Sequence, residues 1–259
     1  MTRLIQLFSV LLVVFALAVS TSQAGLVSTL TNADLEDPVL GNDVFAANPA
    51  NGWSAGGTNF NQPGDDHVQH WDHAVCCTGI ATSGIQFEVH RYYGTELGDA
   101  TTAAGAGLWS FQSLGTVDAG DVGTVLTLSA DVGIRSNSGH GAYTGTFTVA
   151  FRTGTSAASL GSQLGSTSSQ AVANAEGLGT ETVFTNTGDA SYTVLGGEGQ
   201  IFAVISSVSD QDTLDRWHFF VWDSAQYTLV PEPAMVTLMG LGGGLLLLVV
   251  PLRRRRTAV

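Results

Sequence analysis

Val125-Leu126-Thr127-Leu128-Ser129-Ala130-Asp131-Val132-Gly133-Ile134-Arg135 alternates with a period of two. Leu126, Leu128, Ala130, Val132 and Ile134 fall on one side, and Thr127, Ser129, Asp131 and Arg135 on the other. Successive side chains of a strand point to opposite faces, so the pattern predicts a half-buried β-strand. Residues 145–152 repeat it, setting Phe147, Val149 and Phe151 against Thr146, Thr148 and Arg152. Further strands are expected at 84–92, 108–117, 180–185, 200–208 and 218–229, separated by segments containing Gly, Asn, Ser and Asp. Short alternating strands between such turns predict an all-β fold, an antiparallel sandwich of the jelly-roll type. No long amphipathic helix is legible in this region. Residues 156–179, rich in small side chains, read either as a long connection or as a short helix.

Charge narrows the function classes. Only 12% of the 259 residues are charged, and all nine basic residues are Arg. An ordinary domain carries about 25% charge. Five of the nine Arg lie at the extremities, so between residues 25 and 230 four Arg face 21 Asp and Glu, a net charge of −17. A body that acidic repels a phosphate backbone, which excludes nucleic acid as a partner. At 44% hydrophobic content the chain is too apolar for wholesale disorder, and one domain of roughly 200 residues is expected.

Both ends read as targeting segments. Arg3, the apolar run 4–19 and the small residues of Ser22-Gln23-Ala24 predict a secretory signal peptide over 1–24, with the mature chain starting at Gly25. Residues 234–252 carry no charge, and as a helix they would span roughly 28 Å, close to the thickness of a bilayer core. Arg253, Arg254, Arg255 and Arg256 follow at once, which keeps that end cytoplasmic and the body outside. Before the single expected transmembrane helix stands Val230-Pro231-Glu232-Pro233. The motif, the apolar span and the Arg cluster together resemble the PEP-CTERM sorting signal, a tail also labelled an ice-binding-protein C-terminal domain. That resemblance implies recognition of Pro231, Glu232 and Pro233 by an exosortase-type transpeptidase, removal of the span, and delivery to the cell surface or an extracellular, exopolysaccharide-rich biofilm matrix. The expected organisation is a signal peptide (1–24), a β-sandwich (25–229) and a sorting signal (230–259).

The body carries a second resemblance. Leu30-Thr31-Asn32-Ala33-Asp34-Leu35-Glu36-Asp37-Pro38 with Gly52-Trp53 is similar to the opening of galactose-binding-like jelly rolls, a class shared by carbohydrate-binding modules. Thr124–Gly133 resembles a recurring strand of that fold, and Phe219–Leu229 its closing strand. This resemblance implies a structural calcium held by Glu36 and Asp223. Calcium takes six to eight oxygen ligands, which carboxylates and carbonyls supply.

Other side chains invite chemistry of their own. His67, His70, His73 and Cys76 fall within ten residues, beside Cys77. Imidazole and thiolate bind zinc or copper where about four donors converge; without convergence the stretch is an irregular polar loop. Cys76 and Cys77 read as a vicinal disulfide, as free thiols, or as partners of another chain. Sugar rings pack on aromatic faces, and Trp53, Trp71, Tyr92, Tyr93 and Tyr143 lie near turn-like segments, whereas Trp109, Trp217 and Trp222 sit in apolar strand patterns and read as core. The Thr144, Thr146 and Thr148 row reads as the polar face of one strand. No nucleophile elbow, zinc-protease motif or phosphate loop occurs. The expectation is a non-catalytic exported surface or matrix protein that associates with extracellular polysaccharide. The rival reading is a metal-dependent enzyme or redox protein built on His67 to Cys77.

Overall fold

A computed structural model of the chain describes residues 25–38, 40, 45–46, 49–57, 67–72, 86–93, 107–135, 143–156, 159–174, 184–210 and 217–231. The expected leader (1–24) and span (234–252) lie outside the described residues. So do His73, Cys76, Cys77, Glu232, Pro233 and the Arg cluster 253–256.

The described strands, in chain order, are β1 (Phe45–Ala46), β2 (Ser54–Gly57), β3 (His67–Asp72), β4 (Gln86–Tyr93), β5 (Gly107–Thr116), β6 (Val125–Ile134), β7 (Tyr143–Ser156), β8 (Ser159–Asn174), β9 (Thr185–Asn186), β10 (Ala190–Thr193), β11 (Gln200–Ser209) and β12 (Trp217–Val230). Their pairings are antiparallel. One sheet has the order β1-β3-β4-β12-β6-β10, with β9 also on β6; the other runs β2-β5-β11-β7-β8. From β4 onward the chain passes repeatedly between the sheets, which makes a sandwich. The expected all-β architecture is the one observed.

Alternation explains the core. On β6 Leu126, Leu128, Ala130 and Val132 are fully buried, while Thr127 and Asp131 are half-buried on the other face. Phe147, Val149 and Phe151 of β7, Ile201 and Ile205 of β11, and Phe220 and Trp222 of β12 meet them between the sheets. Burial of each such side chain contributes about 1.5–3 kcal/mol, so this layer supplies most of the driving force.

The N-terminal segment is tied onto the sandwich by polar groups. Asn32 (φ 51°) takes the N–H of Asp37 on its Oδ1 at 2.9 Å, and its carbonyl accepts the Trp53 indole N–H at 3.1 Å. Gln112 of β5 donates to the carbonyls of Thr31 and Gly52 at 2.9 and 2.8 Å and accepts the Thr31 N–H at 2.7 Å. The opening segment also meets the closing strand, where Ala225 donates to the carbonyl of Ala33 at 2.9 Å beside a bulge in β12.

Two segments differ from expectation. Residues 156–179, read as a connection or a helix, contain the 16-residue strand β8. The His-rich stretch begins as a strand, β3, not as a loop. For β8 the reason is tertiary: it pairs with β7 along its length and closes one side of the sandwich against β10. Ser191 of β10 donates its N–H to Ser166 Oγ at 2.9 Å, and Ser168 Oγ donates to the carbonyl of Thr187. Gly165 (φ +64°) permits this approach, since a Cβ there would lie 2.2 Å from the carbonyl oxygen of Ser191.

Candidate functional site

Four of the expected sugar-platform rings are not open. Trp53 is 5% exposed and meets Trp222 edge-on at 4.8 Å, because its indole is drawn in by Asn32. Tyr92 is fully buried, donating to the Ser207 carbonyl at 2.6 Å and accepting the Leu108 N–H at 3.0 Å. Trp71 lies on the outer face of the first sheet at 6% exposure, with the Arg135 guanidinium over its ring at 5.3 Å and Phe219 at 5.4 Å. Tyr143 is likewise buried, stacked on His218 at 4.2 Å. The backbone of Tyr93 pairs opposite Trp217. Trp222 is core, as expected.

The expected metal ligands are placed as follows. The register sets His67 opposite Arg91 and His70, fully buried, opposite Glu88. Glu36 accepts the Gln86 N–H at 2.9 Å, while Asp223, fully buried at the β12 bulge, accepts the Ser224 N–H at 2.6 Å. Among the described residues no three His, Cys, Asp or Glu side chains come together as a metal centre.

A polar network crosses the core. Ser110 Oγ of β5 donates to the Glu88 carboxylate, whose other oxygen accepts the Ala50 N–H at 3.1 Å. His90 Nε2 lies 2.8 Å from Ser110 Oγ, and its Nδ1 lies 2.8 Å from Ser207 Oγ of β11. Burial pushes the Glu88 carboxyl up to about 7 and holds the His90 imidazole down near 3. A neutral imidazole carrying its proton on Nε2 satisfies both contacts, donating to Ser110 and accepting from Ser207. Ser, His and Glu are therefore adjacent, but in the wrong order for nucleophilic catalysis. The hydroxyl donates to the carboxylate, and no carboxylate orients the imidazole. All three side chains are fully buried, so the network is a polar staple between the sheets.

The open feature lies on the outer face of the second sheet. β5 is inverted in polarity: Ser110 and Gln112 face inward with Leu108 and Leu114, while Trp109 and Phe111 face outward. Trp109, expected in the core, is half-buried and packs on a cluster of buried side chains on this face, Phe111, Phe202 and Val204. Its indole lies across β2, where a Cβ on Gly56 would stand 2.5 Å from Nε1. From Trp109 a groove of about 190 Å³ runs over Val204 and Ala150 to Arg152 and Gln163, with Thr148 and Ser206 on its walls. The register gives its course, because Trp109 pairs with Ser206, Ser206 with Thr148, Phe202 with Arg152, and Arg152 with Gln163. Trp109 and Arg152 thus stand two strands and four residues apart, roughly 16 Å along a diagonal. The groove is smaller than the roughly 300–1,000 Å³ clefts that enclose a small ligand, and its shape suits part of an extended one.

No family model and no curated protein matches the chain. Similar solved structures include the CBM22-1 xylan-binding domain of Xyn10C from Paenibacillus barcinonensis, at 19% identity and TM-score 0.33, covering 69% of this chain and 86% of that one. The C-terminal family 22 carbohydrate-binding module of Clostridium thermocellum Xyn10B is 12% identical at TM-score 0.37, covering 70% and 87%. The family 11 carbohydrate-binding module of the Clostridium thermocellum cellulosomal cellulase Lic26A-Cel5E is 13% identical at TM-score 0.35, covering 81% and 96%. A further similar structure, 13% identical at TM-score 0.36 and covering 80% of this chain and 64% of that one, is described among the carbohydrate-binding modules from the β-sandwich superfamily.

Proposed function

We propose that the chain is a non-catalytic, exported protein that binds extracellular polysaccharide through the outer face of its second sheet. The groove from Trp109 to Gln163 carries this reading. It offers one aromatic face, a floor of small apolar side chains and a row of hydroxyl and amide groups on rigid strands. Sugars present apolar C–H faces and hydroxyl edges, so a ring stacks on an indole while neighbouring hydroxyls bond to Thr, Ser and Gln. Affinity electrophoresis of the full-length protein through gels containing soluble polysaccharides tests the reading. Retardation by at least one polymer is expected, and uniform free migration contradicts it.

Delivery follows from the two ends of the sequence. The leader exports the chain, and the Pro231-Glu232-Pro233 motif with its span and Arg cluster presents the tail to an exosortase-type transpeptidase at the membrane. In a host with that enzyme, replacing Pro231 and Pro233 by Ala leaves the span attached, and mass spectrometry detects the unprocessed tail. Normal removal of the span from that variant contradicts the assignment.

A further inference from the structure

We infer that the groove is selective for an acidic polysaccharide, with Arg152 pairing with a sugar carboxylate while Trp109 stacks on a ring further along; the inference rests on the polysaccharide reading above.

The distribution of charge points this way. The chain carries 22 Asp and Glu, yet β2, β5, β7, β8 and β11 contain none. Carboxylates on strands belong to the other sheet, as with Glu88, Asp131 and Asp223. The five strands hold one cation, Arg152, and it lines the groove. No carboxylate among the described residues pairs with it, although acids outnumber Arg by 22 to nine in the chain. Among the described residues, two acids beside this sheet have partners other than Arg152. Glu198 accepts from the Tyr192 hydroxyl and from the N–H groups of Leu195 and Gly196. Asp210 stands at the far end of β7 beside Thr144, eight residues from Arg152 and so about 27 Å away along the strand. That distance is about three Debye lengths at physiological ionic strength, so Asp210 contributes little to the field at Arg152.

A half-buried guanidinium with no carboxylate partner among the described residues, in a groove lined by otherwise neutral side chains, prefers a carboxylate to a hydroxyl. Its planar fork matches the carboxylate, and charge-assisted bonds are about twice as strong as neutral ones. A neutral glycan would leave that donor fork only weakly satisfied. The surrounding acidic surface repels polyanions that do not reach the groove, which sharpens the selection.

The test titrates the full-length protein with polygalacturonate and with alginate, each beside its esterified form, which keeps the backbone and removes the charge. Wild type is expected to bind at least one acidic polymer about tenfold more tightly than its ester, the size of one charge-assisted hydrogen bond. Arg152→Gln abolishes the difference in affinity between that polymer and its ester. Arg152→Lys, which keeps the charge, retains part of the difference. Equal wild-type affinity for acid and ester, or a difference that survives in Arg152→Gln, overturns the acidic selectivity and leaves polysaccharide binding standing. Binding to none of the four polymers by a protein that another polysaccharide retards overturns the acidic selectivity alone, whereas Trp109→Ala binding as tightly as wild type overturns the groove reading and this inference with it.

Discussion

Ser110 bridges two ionisable groups that cannot both carry charge in the dry centre of the sandwich, and their shifts oppose one another. Glu88 titrates at about 7 when folded, so the folded chain keeps a proton that the unfolded chain gives up above about 4.5. That contribution is full below 4.5 and is lost as pH rises to about 7, by about 3 kcal/mol in all. His90 is held near 3, so the unfolded chain takes up a proton below 6.5 that the folded chain refuses. Its contribution is full above 6.5 and is lost as pH falls towards 3, by about 5 kcal/mol. Between 4.5 and 6.5 the two slopes cancel. Denaturant titration from pH 3 to 9 should show a flat stability maximum in that window. Glu88→Gln should remove the decline on its alkaline side and leave stability rising with pH up to 6.5; a profile superimposable on wild type would contradict this. These residues also show where sequence reading stops. Alternation in β4 and β5 reveals strands but not which face is core, and apolar residues are taken as the inner set by default. Here Glu88 and His90 face inward because Ser110 and Ser207 on two other strands satisfy them. That complementarity belongs to three strands at once, so Tyr92 was expected outside and Trp109 inside, the reverse of what is found.

At the scale of elements, β8 and β10 are edge strands of different sheets that protect each other. Unpaired edges invite pairing with other chains, and hydroxyl bonds from Ser166 and Ser168 close this one. Gly165→Val adds a Cβ against the Ser191 carbonyl at a left-handed φ. It should lower the unfolding free energy by about 1–3 kcal/mol and promote self-association, measured by urea denaturation and sedimentation velocity. An unchanged midpoint in a monomeric variant would count against the closure. β6 was legible from its own residues because its apolar set is continuous. β8 was not, because Leu160, Leu164 and Val172 are too widely spaced to give a continuous alternation among Ser, Gly and Gln. Its strand state comes from β7 and β10, an instance of neighbours overriding weak intrinsic propensity.

At the scale of the whole molecule, the net charge of −17 carried between residues 25 and 230 is segregated. Acids occupy the first sheet and the connections, leaving the second sheet a neutral face with one Arg. Composition alone reports the average and hides this asymmetry, which appears only once the strands are sorted into sheets. Two aromatic surfaces then compete for a ligand. Trp71 is covered by Arg135 and Phe219 on the acidic sheet, and Trp109 borders an open groove on the neutral one. The measurement that separates them is the affinity of a retarding polysaccharide for full-length wild type, Trp109→Ala and Trp71→Phe, the last chosen to keep an aromatic ring against Phe87 and Phe219. Trp109→Ala should weaken binding at least about tenfold, roughly 1.4 kcal/mol, while Trp71→Phe binds as wild type. Undiminished binding by Trp109→Ala, with loss in Trp71→Phe, would contradict the account.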